Sequence, residues 1–261
     1  MKTITSVEND KIKDLVRLKK TSERRAEGLI IVDGQREVEM ALKAGWEARE
    51  LFFCPGLIKE SVDFFGISEE KRTEVSEAIF KKICYKDSPD GYFLLAKEKP
   101  KNLDQVKLSQ NPLLVILESV EKPGNLGAII RTAYAVGADA VIVNDSQTDI
   151  YNPNVIRASE GFVFEETVVV ASREETGFWL KKKKIKSLAA ATSGKIRYSS
   201  ADLKGPLAIV LGSEADGLRE EWLKTADKLV KIPMKKGIDS LNVSVSAAII
   251  AYEALRQREG K

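Results

Sequence analysis

Apolar and polar positions repeat with two different periods along this chain, and the switches between them mark its elements. Residues 8–27 carry Ile12, Leu15, Val16 and Leu18 as a thin apolar stripe among charges, which predicts one charged helix. GLIIVDG at 28–34 is a short strand of the buried type, and REVEMALKAG after it has the spacing of a helix ended by Gly45. ARELFFC at 48–54 predicts a strand and LIKESVDFF a helix. SEAIFKKICY at 76–85 predicts a helix capped by its serine, and YFLLAKE at 92–98 a strand. This alternation is enough for a small α/β sandwich over residues 1–98. Residues 99–112, with two prolines and little periodicity, read as a linker.

From residue 113 the pattern restarts with more strongly apolar strands: LLVILES, AVIVN, FVFEETVVVA, IKSLAAATS, PLAIVLGSE and KLVKIPM. Helical spacing fills the intervals, in GNLGAIIRTAYAVG, NPNVIRASEG, EETGFWLKKKK, LREEWLKTA and a long final SLNVSVSAAIIAYEALRQRE. Strands alternating with helices predict a parallel sheet covered on both faces, so residues 113–261 form a second α/β domain.

Composition narrows the function. Across 261 residues, 43% hydrophobic and 31% charged positions suit a globular chain with a real core. Forty-two basic against 39 acidic side chains leave a net charge of only +3, which excludes nucleic-acid affinity by bulk charge and requires local patches. The absence of histidine excludes Ser-His and Cys-His nucleophile systems, imidazole zinc sites and His general bases; no metal is expected. Two distant cysteines, Cys54 and Cys84, exclude a disulfide scaffold and fit a reduced cytoplasm. The longest apolar runs are strand-length and the first fifteen residues are charged throughout, so neither a membrane span nor a targeting segment is expected.

Three segments place glycine and polar residues where predicted strands end, which is where open α/β sheets hold ligands. In ESVEKPGNLGAIIRTAYAVGAD (118–139), Asn125 is a natural cap for a helix carrying Arg131. In LAIVLGSEADGL (207–218), Gly212 at a strand end admits close approach to the backbone, without a P-loop or a nicotinamide fingerprint. In KIPMKKGIDSLNVSVSAAIIAYE (231–253), Ser240 or Asn242 is placed to cap the last helix, and its first turns are unusually polar. Taken singly, the three also read as a capped helix with a snorkelling Arg, a tight Asp-Gly turn and simple capping.

In order, N-x-G-x-x-x-R-T-A, G-S-E-x-x-G-L and I-P-M-x(5)-S-L-N-V-S resemble the SpoU/TrmH family of RNA 2′-O-ribose methyltransferases, in the SPOUT superfamily, over residues 113–258. GLIIVDGQREVEMALKAG resembles, more diffusely, the small L30e-like substrate-binding domain of many members, and the whole chain is most similar to the ribosomal-RNA branch. The resemblance implies a deep trefoil knot in the last third of the C-terminal domain, a homodimer with the active site at the subunit interface, and S-adenosyl-L-methionine as cofactor. It implies that the cofactor is held at Thr192, Leu211, Gly212, Ile232, Pro233, Met234, Ser240 and Leu241. It makes Arg131 the catalytic arginine, with Asn125, Glu214, Ser240 and Asn242 as the other active-site positions. Arg131 either takes the 2′-hydroxyl proton or holds the neighbouring phosphate; the second is favoured, because a guanidinium is very hard to deprotonate, and Glu214 or water is then the candidate base. The chain departs from the family at Ser246, where many members have Ala, and Lys235-Lys236 add charge beside the site.

Expected RNA contacts are the basic 11–25 helix, Arg36, Arg131, Arg157, Lys235 and Lys236, whereas Lys181–Lys184 read as a solvated helix end. Trp46, Trp179 and Trp222 are expected to pack rather than stack on bases. The retained active-site set weighs against a non-catalytic RNA-binding protein, and the L30e-like domain weighs against a transfer-RNA enzyme. A resistance methyltransferase shares the same architecture.

Overall fold

The computed structural model describes residues 2–59, 62–165, 167–213 and 215–260. In chain order the first elements are β1 (Lys2–Ile4), α1 (Asp10–Arg17), α2 (Thr21–Glu27), β2 (Leu29–Asp33), α3 (Gln35–Lys43), β3 (Ala48–Phe53), β4 (Arg72–Val75), α4 (Glu77–Ile83) and β5 (Tyr92–Lys97). Then come β6 (Leu113–Glu118), α5 (Pro123–Ala135), β7 (Ala140–Asn144), α6 (Pro153–Ala158), α7 (Phe162–Glu165), β8 (Val168–Ala171) and α8 (Arg173–Lys183). The last are β9 (Lys186–Ala190), β10 (Ile196–Arg197), β11 (Leu207–Leu211), α9 (Glu220–Thr225), β12 (Lys228–Lys231) and α10 (Val243–Arg258).

These elements form two compact units, Met1–Lys99 with Tyr151–Glu165, and Pro100–Ile150 with Glu166–Lys261. The segment Tyr151–Glu165, read from sequence as part of the C-terminal domain, thus clusters with the N-terminal one. The reason is packing. Trp46 meets Tyr151 and Phe164 edge-to-face at 4.9 and 5.2 Å, and Val155, Ile156 and Val163 are buried.

The first unit holds a mixed five-stranded sheet in the order β1-β4-β3-β5-β2, with β4 parallel to β1 and β3, and β5 antiparallel to β3 and β2. Side chains alternate across a sheet. Leu29, Ile31, Phe52 and Phe93 accordingly share a core with Ile12 and Leu15 of α1 and Phe80 of α4.

Several sequence expectations change here. The 8–27 helix is two helices, because Lys20 turns extended at ψ 131°. Arg24 folds back into the break, 2% exposed, and donates to the carbonyls of Leu18 at 3.0 Å and Lys19 at 2.9 Å. Of LIKESVDFF, the described residues hold no α-helix. A 3₁₀ turn covers Pro55–Leu57 and an Asx turn joins Asp63 to the Phe65 amide, while residues 60 and 61 lie outside the described set. Ser76 stands at the N-cap of α4 but makes no side-chain cap bond. FVFEETVVVA splits into helix α7 and strand β8.

The second unit holds seven strands, all parallel, in the order β10-β12-β9-β11-β6-β7-β8. β6, β7 and β11 are buried along their whole length, as strands covered on both faces must be. α10 packs against α5 and β11. Its end is pinned by Arg258, which donates to the carbonyls of Leu203, Gly205, Asn111 and Pro112 at 2.7–3.2 Å. The chain leaves β6 toward β7 and β11 toward β12, on opposite sides, so the boundary between β6 and β11 is the switch point of the sheet.

Candidate active site

A cavity of about 410 Å³ lies at the C-terminal ends of the neighbouring strands β12, β9 and β11. Three stretches far apart in the chain line it: Ala190–Ser193 after β9, the loop after β11, and Ile232 to Ser246 in part. Of the residues expected to hold a cofactor, Thr192, Leu211, Gly212, Ile232, Met234, Ser240 and Leu241 line the cavity. Pro233 sits between two lining residues but is not itself in the wall. Asp216, Asp239 and Ser246 are also in the wall; Ser246 stood out in the sequence as a departure from the family, whereas Asp216 and Asp239 carried no signal beyond lying within two residues of a singled-out position.

The loop after β11 is a tight hairpin. Ser213 N–H donates to the Gly217 carbonyl at 3.0 Å, Gly217 N–H returns to Ser213 at 3.2 Å, and the Ser213 hydroxyl accepts from Asp216 N–H at 3.0 Å. Its turn-back explains Gly212: a Cβ there would sit 2.0 Å from the carbonyl carbon of Gly217, so only glycine fits. Beyond the hairpin Leu218 is buried in the core. The next amide, Arg219 N–H, donates at 2.8 Å to Glu118 Oε2. Glu118 is fully buried and burial pushes its carboxyl up from the ordinary range, partly opposed by that amide. Glu214 lies outside the described residues.

The polar arm of the site comes from α5 and α10. Asn125 does not cap α5. Pro123 is its first residue and Lys122 the N-cap, so Asn125 sits in the first turn. Its side-chain carbonyl accepts from Asn242 Nδ2 at 3.1 Å, across 117 residues of chain. Asn242 is the cap of α10, accepting from Ser244 N–H at 2.8 Å. The first and third motifs therefore meet directly. Arg131, farther along α5, is exposed and does not line the cavity.

The expected RNA contacts divide. Lys235 and Lys236 are exposed beside the cavity wall. Arg36 pairs with Glu160 at 2.7 Å and lies over the Phe162 ring, and the exposed Arg157 donates to Asn154 Oδ1 at 3.1 Å. In the 11–25 stretch, Lys11 pairs with Glu50 at 2.7 Å, Arg17 with Glu23 and Glu27, and Arg24 is buried. Lys20 and Arg25 stay exposed. The three tryptophans are buried, as expected of packing residues; both cysteines are free, and burial pushes their thiols up. Among the described residues no helix is long and apolar enough to cross a membrane.

Comparison with known proteins adds what geometry alone does not. Residues 112–252 match the SpoU rRNA Methylase family, and residues 9–94 match the MRM3-like substrate binding domain. The chain is 30% identical to the 23S rRNA (guanosine(2553)-2′-O)-methyltransferase RlmP of Bacillus subtilis, over 97% of this chain and 98% of that one. It superposes on a crystal structure described as an RNA 2′-O ribose methyltransferase with a TM-score of 0.84 at 39% identity, covering 98% and 99% of the two chains. It superposes equally well, at TM-score 0.87 and 28% identity, on an AdoMet-bound rRNA methyltransferase from Sinorhizobium meliloti, with 98% of each chain covered. A match across more than half of the chain, supported by relatives aligned end to end, shows that this chain belongs to the SpoU rRNA methylase family.

Proposed function

We propose that this protein transfers a methyl group from S-adenosylmethionine to the 2′-hydroxyl of a ribose in large-subunit ribosomal RNA. One observation carries the reading: Gly212, Ile232 and Leu241, from three loops distant in sequence, wall a single cavity at the strand ends. Its volume of about 410 Å³ is that of a small-molecule site, and its lining is apolar side chains, hydroxyls, main chain and the carboxylates of Asp216 and Asp239, a set that suits an adenosine bearing a positive charge rather than a polyphosphate. When bound, S-adenosylmethionine supplies an electrophilic methyl on a sulfonium.

The chain's residues then have distinct tasks. Leu211, Gly212, Ile232, Met234 and Leu241 offer apolar walls and main-chain groups to the cofactor, with Thr192 and Ser240 adding hydroxyls at its rim. Pro233 stiffens the backbone between two of them. The Asn125–Asn242 pair sets the first turns of α5 and α10 against each other and orients the polar side of the site. Arg131 holds the phosphate next to the reacting ribose, and Glu214 or water accepts the proton. Lys235, Lys236, Arg36 and Arg157 add contacts to RNA, with residues 1–98 as the recruiting domain, 99–112 as linker and 113–261, less the segment Tyr151–Glu165 that clusters with the first unit, as the methyltransferase domain.

Because Arg131 stands outside the cavity wall of its own chain, the reading includes a homodimer whose sites combine both copies. Exposed Tyr134 on α5 and exposed Val245 and Tyr252 on α10 supply apolar surface on the two helices that would pair. It also includes a trefoil-knotted C-terminal domain and a cytoplasmic setting, with no metal in the reaction. The test is twofold: calorimetric titration with S-adenosylmethionine, and transfer of a labelled methyl to 23S rRNA. Saturable binding with label in ribose 2′-O positions is expected. No binding at millimolar cofactor would instead mean a non-catalytic RNA-binding protein, and label in transfer RNA alone would mean a different substrate class.

A further inference from the structure

We propose that Glu118 is a positioning residue that clamps the cofactor-lining hairpin to the strand leading into the Asn125–Arg131 helix. This rests on the cofactor reading above. β6 is apolar from Leu113 to Leu117 and then ends in a carboxylate with no exposed surface. A buried carboxylate is costly unless its hydrogen bonds repay the lost water, and nothing in strand packing calls for one. What it does is specific. Glu118 Oε2 accepts the Arg219 amide at 2.8 Å, while among the described residues Oε1 has no hydrogen-bond partner.

Arg219 directly follows the far foot of the hairpin that lines the cavity. The near foot is Gly212, at the end of β11; the far foot is Leu218, buried in the core, followed by the amide that Glu118 holds. Between them, among the described residues, the backbone pair of Ser213 and Gly217 and the Asp216 N–H bond to the Ser213 hydroxyl hold the hairpin closed. The next residue after the clamp, Ser119, has φ 52° and donates to the Asn144 carbonyl at 3.0 Å, so the exit of β6 is itself tied to the exit of β7. The Arg219 side chain adds little, since its contact to Asp145 is 3.4 Å and half-exposed. The clamp is therefore one acceptor on one main-chain donor, linking the loop that walls the cavity to the strand that starts the RNA-facing helix. A site whose first shell is main chain depends on such support for its precision.

Two variant pairs test it, with three readouts: amide hydrogen exchange of Ser213 and Gly217 without ligand, Kd for S-adenosylmethionine, and kcat at saturating cofactor. Glu118→Ala removes the acceptor, whereas Glu118→Gln keeps one. Arg219→Ala keeps the backbone donor, whereas Arg219→Pro removes it at a φ of −63° that proline adopts. Expected are at least tenfold faster exchange and at least tenfold weaker cofactor binding in Glu118→Ala and Arg219→Pro, with kcat falling less than affinity. Glu118→Gln and Arg219→Ala should stay within about threefold of wild type. Should Glu118→Ala fail to fold, the Arg219 pair decides. Unchanged exchange in a folded Glu118→Ala protein, or Glu118→Gln as impaired as Glu118→Ala, would overturn the clamp. If wild type bound no cofactor while exchange still responded as expected, the clamp would stand and the cofactor reading would fall.

Discussion

Both units pair many of their charged side chains, but they differ in what they leave at the strand ends. In the first unit several of the basic residues that sequence offered to RNA already have partners within the unit: Lys11 with Glu50, Arg17 with Glu23 and Glu27 and Arg36 with Glu160 at the surface, and Arg24 buried on carbonyls. In the second unit the strands are almost purely apolar, and hydroxyls and main-chain groups collect around a cavity at their ends. A unit whose candidate RNA-binding cations are mostly paired offers a partner shape more than free charge. A unit that leaves main chain and hydroxyls facing a cavity is built to hold a ligand.

Breaking that shape should have the largest effect. Trp46→Ala removes the aromatic on which Tyr151 and Phe164 pack, and should destabilise the first unit by about 3–5 kcal/mol, read from its thermal transition. If that transition is unchanged, Tyr151–Glu165 does not belong to the first unit's core. Deletion of residues 1–98 would strand the same apolar helices, so point variants are the cleaner probe of that unit.

Next comes the ligand-holding unit. Arg131→Ala should lower methyl transfer to rRNA by about 10²–10³-fold while Kd for S-adenosylmethionine stays within roughly twofold, because Arg131 lies outside the cavity wall. Gly212→Ala should instead weaken cofactor binding, by about 10–100-fold, since its Cβ would strike Gly217. Replacing Lys235 and Lys236 together by Ala should leave cofactor binding alone and reduce the slope of log affinity for RNA against log salt by roughly 1–2.

The smallest effect concerns the helix that carries Asn242. Donors from Arg256 and Gln257 hold the Glu253 carboxyl down to about 2 from the usual 4.5. Because the folded value is the lower one, the stability this gives is complete above about pH 4.5 and is lost as pH falls toward 2. Glu253→Gln should flatten the stability profile in that window; an unchanged acid limb would show that the carboxyl adds nothing there.

How far sequence reached follows the same division. Strands buried on both faces write continuous apolar runs, so β6, β7 and β11 were legible, whereas β10, two residues long, left no period to read. FVFEETVVVA misled because its aromatic and β-branched residues favour strand, yet its first half is a short helix anchored by Phe164 on Trp46. Motif spacing found the three loops but not their mutual contacts. Asn125 has the chemistry of a cap, and Pro123 two residues earlier had already taken the first helical position. Nor does any local pattern pair Lys11 with Glu50, 39 residues away, which is why the basic stretch looked more available to RNA than it is.

The most direct test of the central claim is a map of ribose 2′-O-methylation in total RNA from cells carrying the wild-type protein, the Arg131→Ala protein, or none. A methylated position in 23S rRNA present only with the wild-type protein is the predicted result. An identical map in all three strains would contradict it.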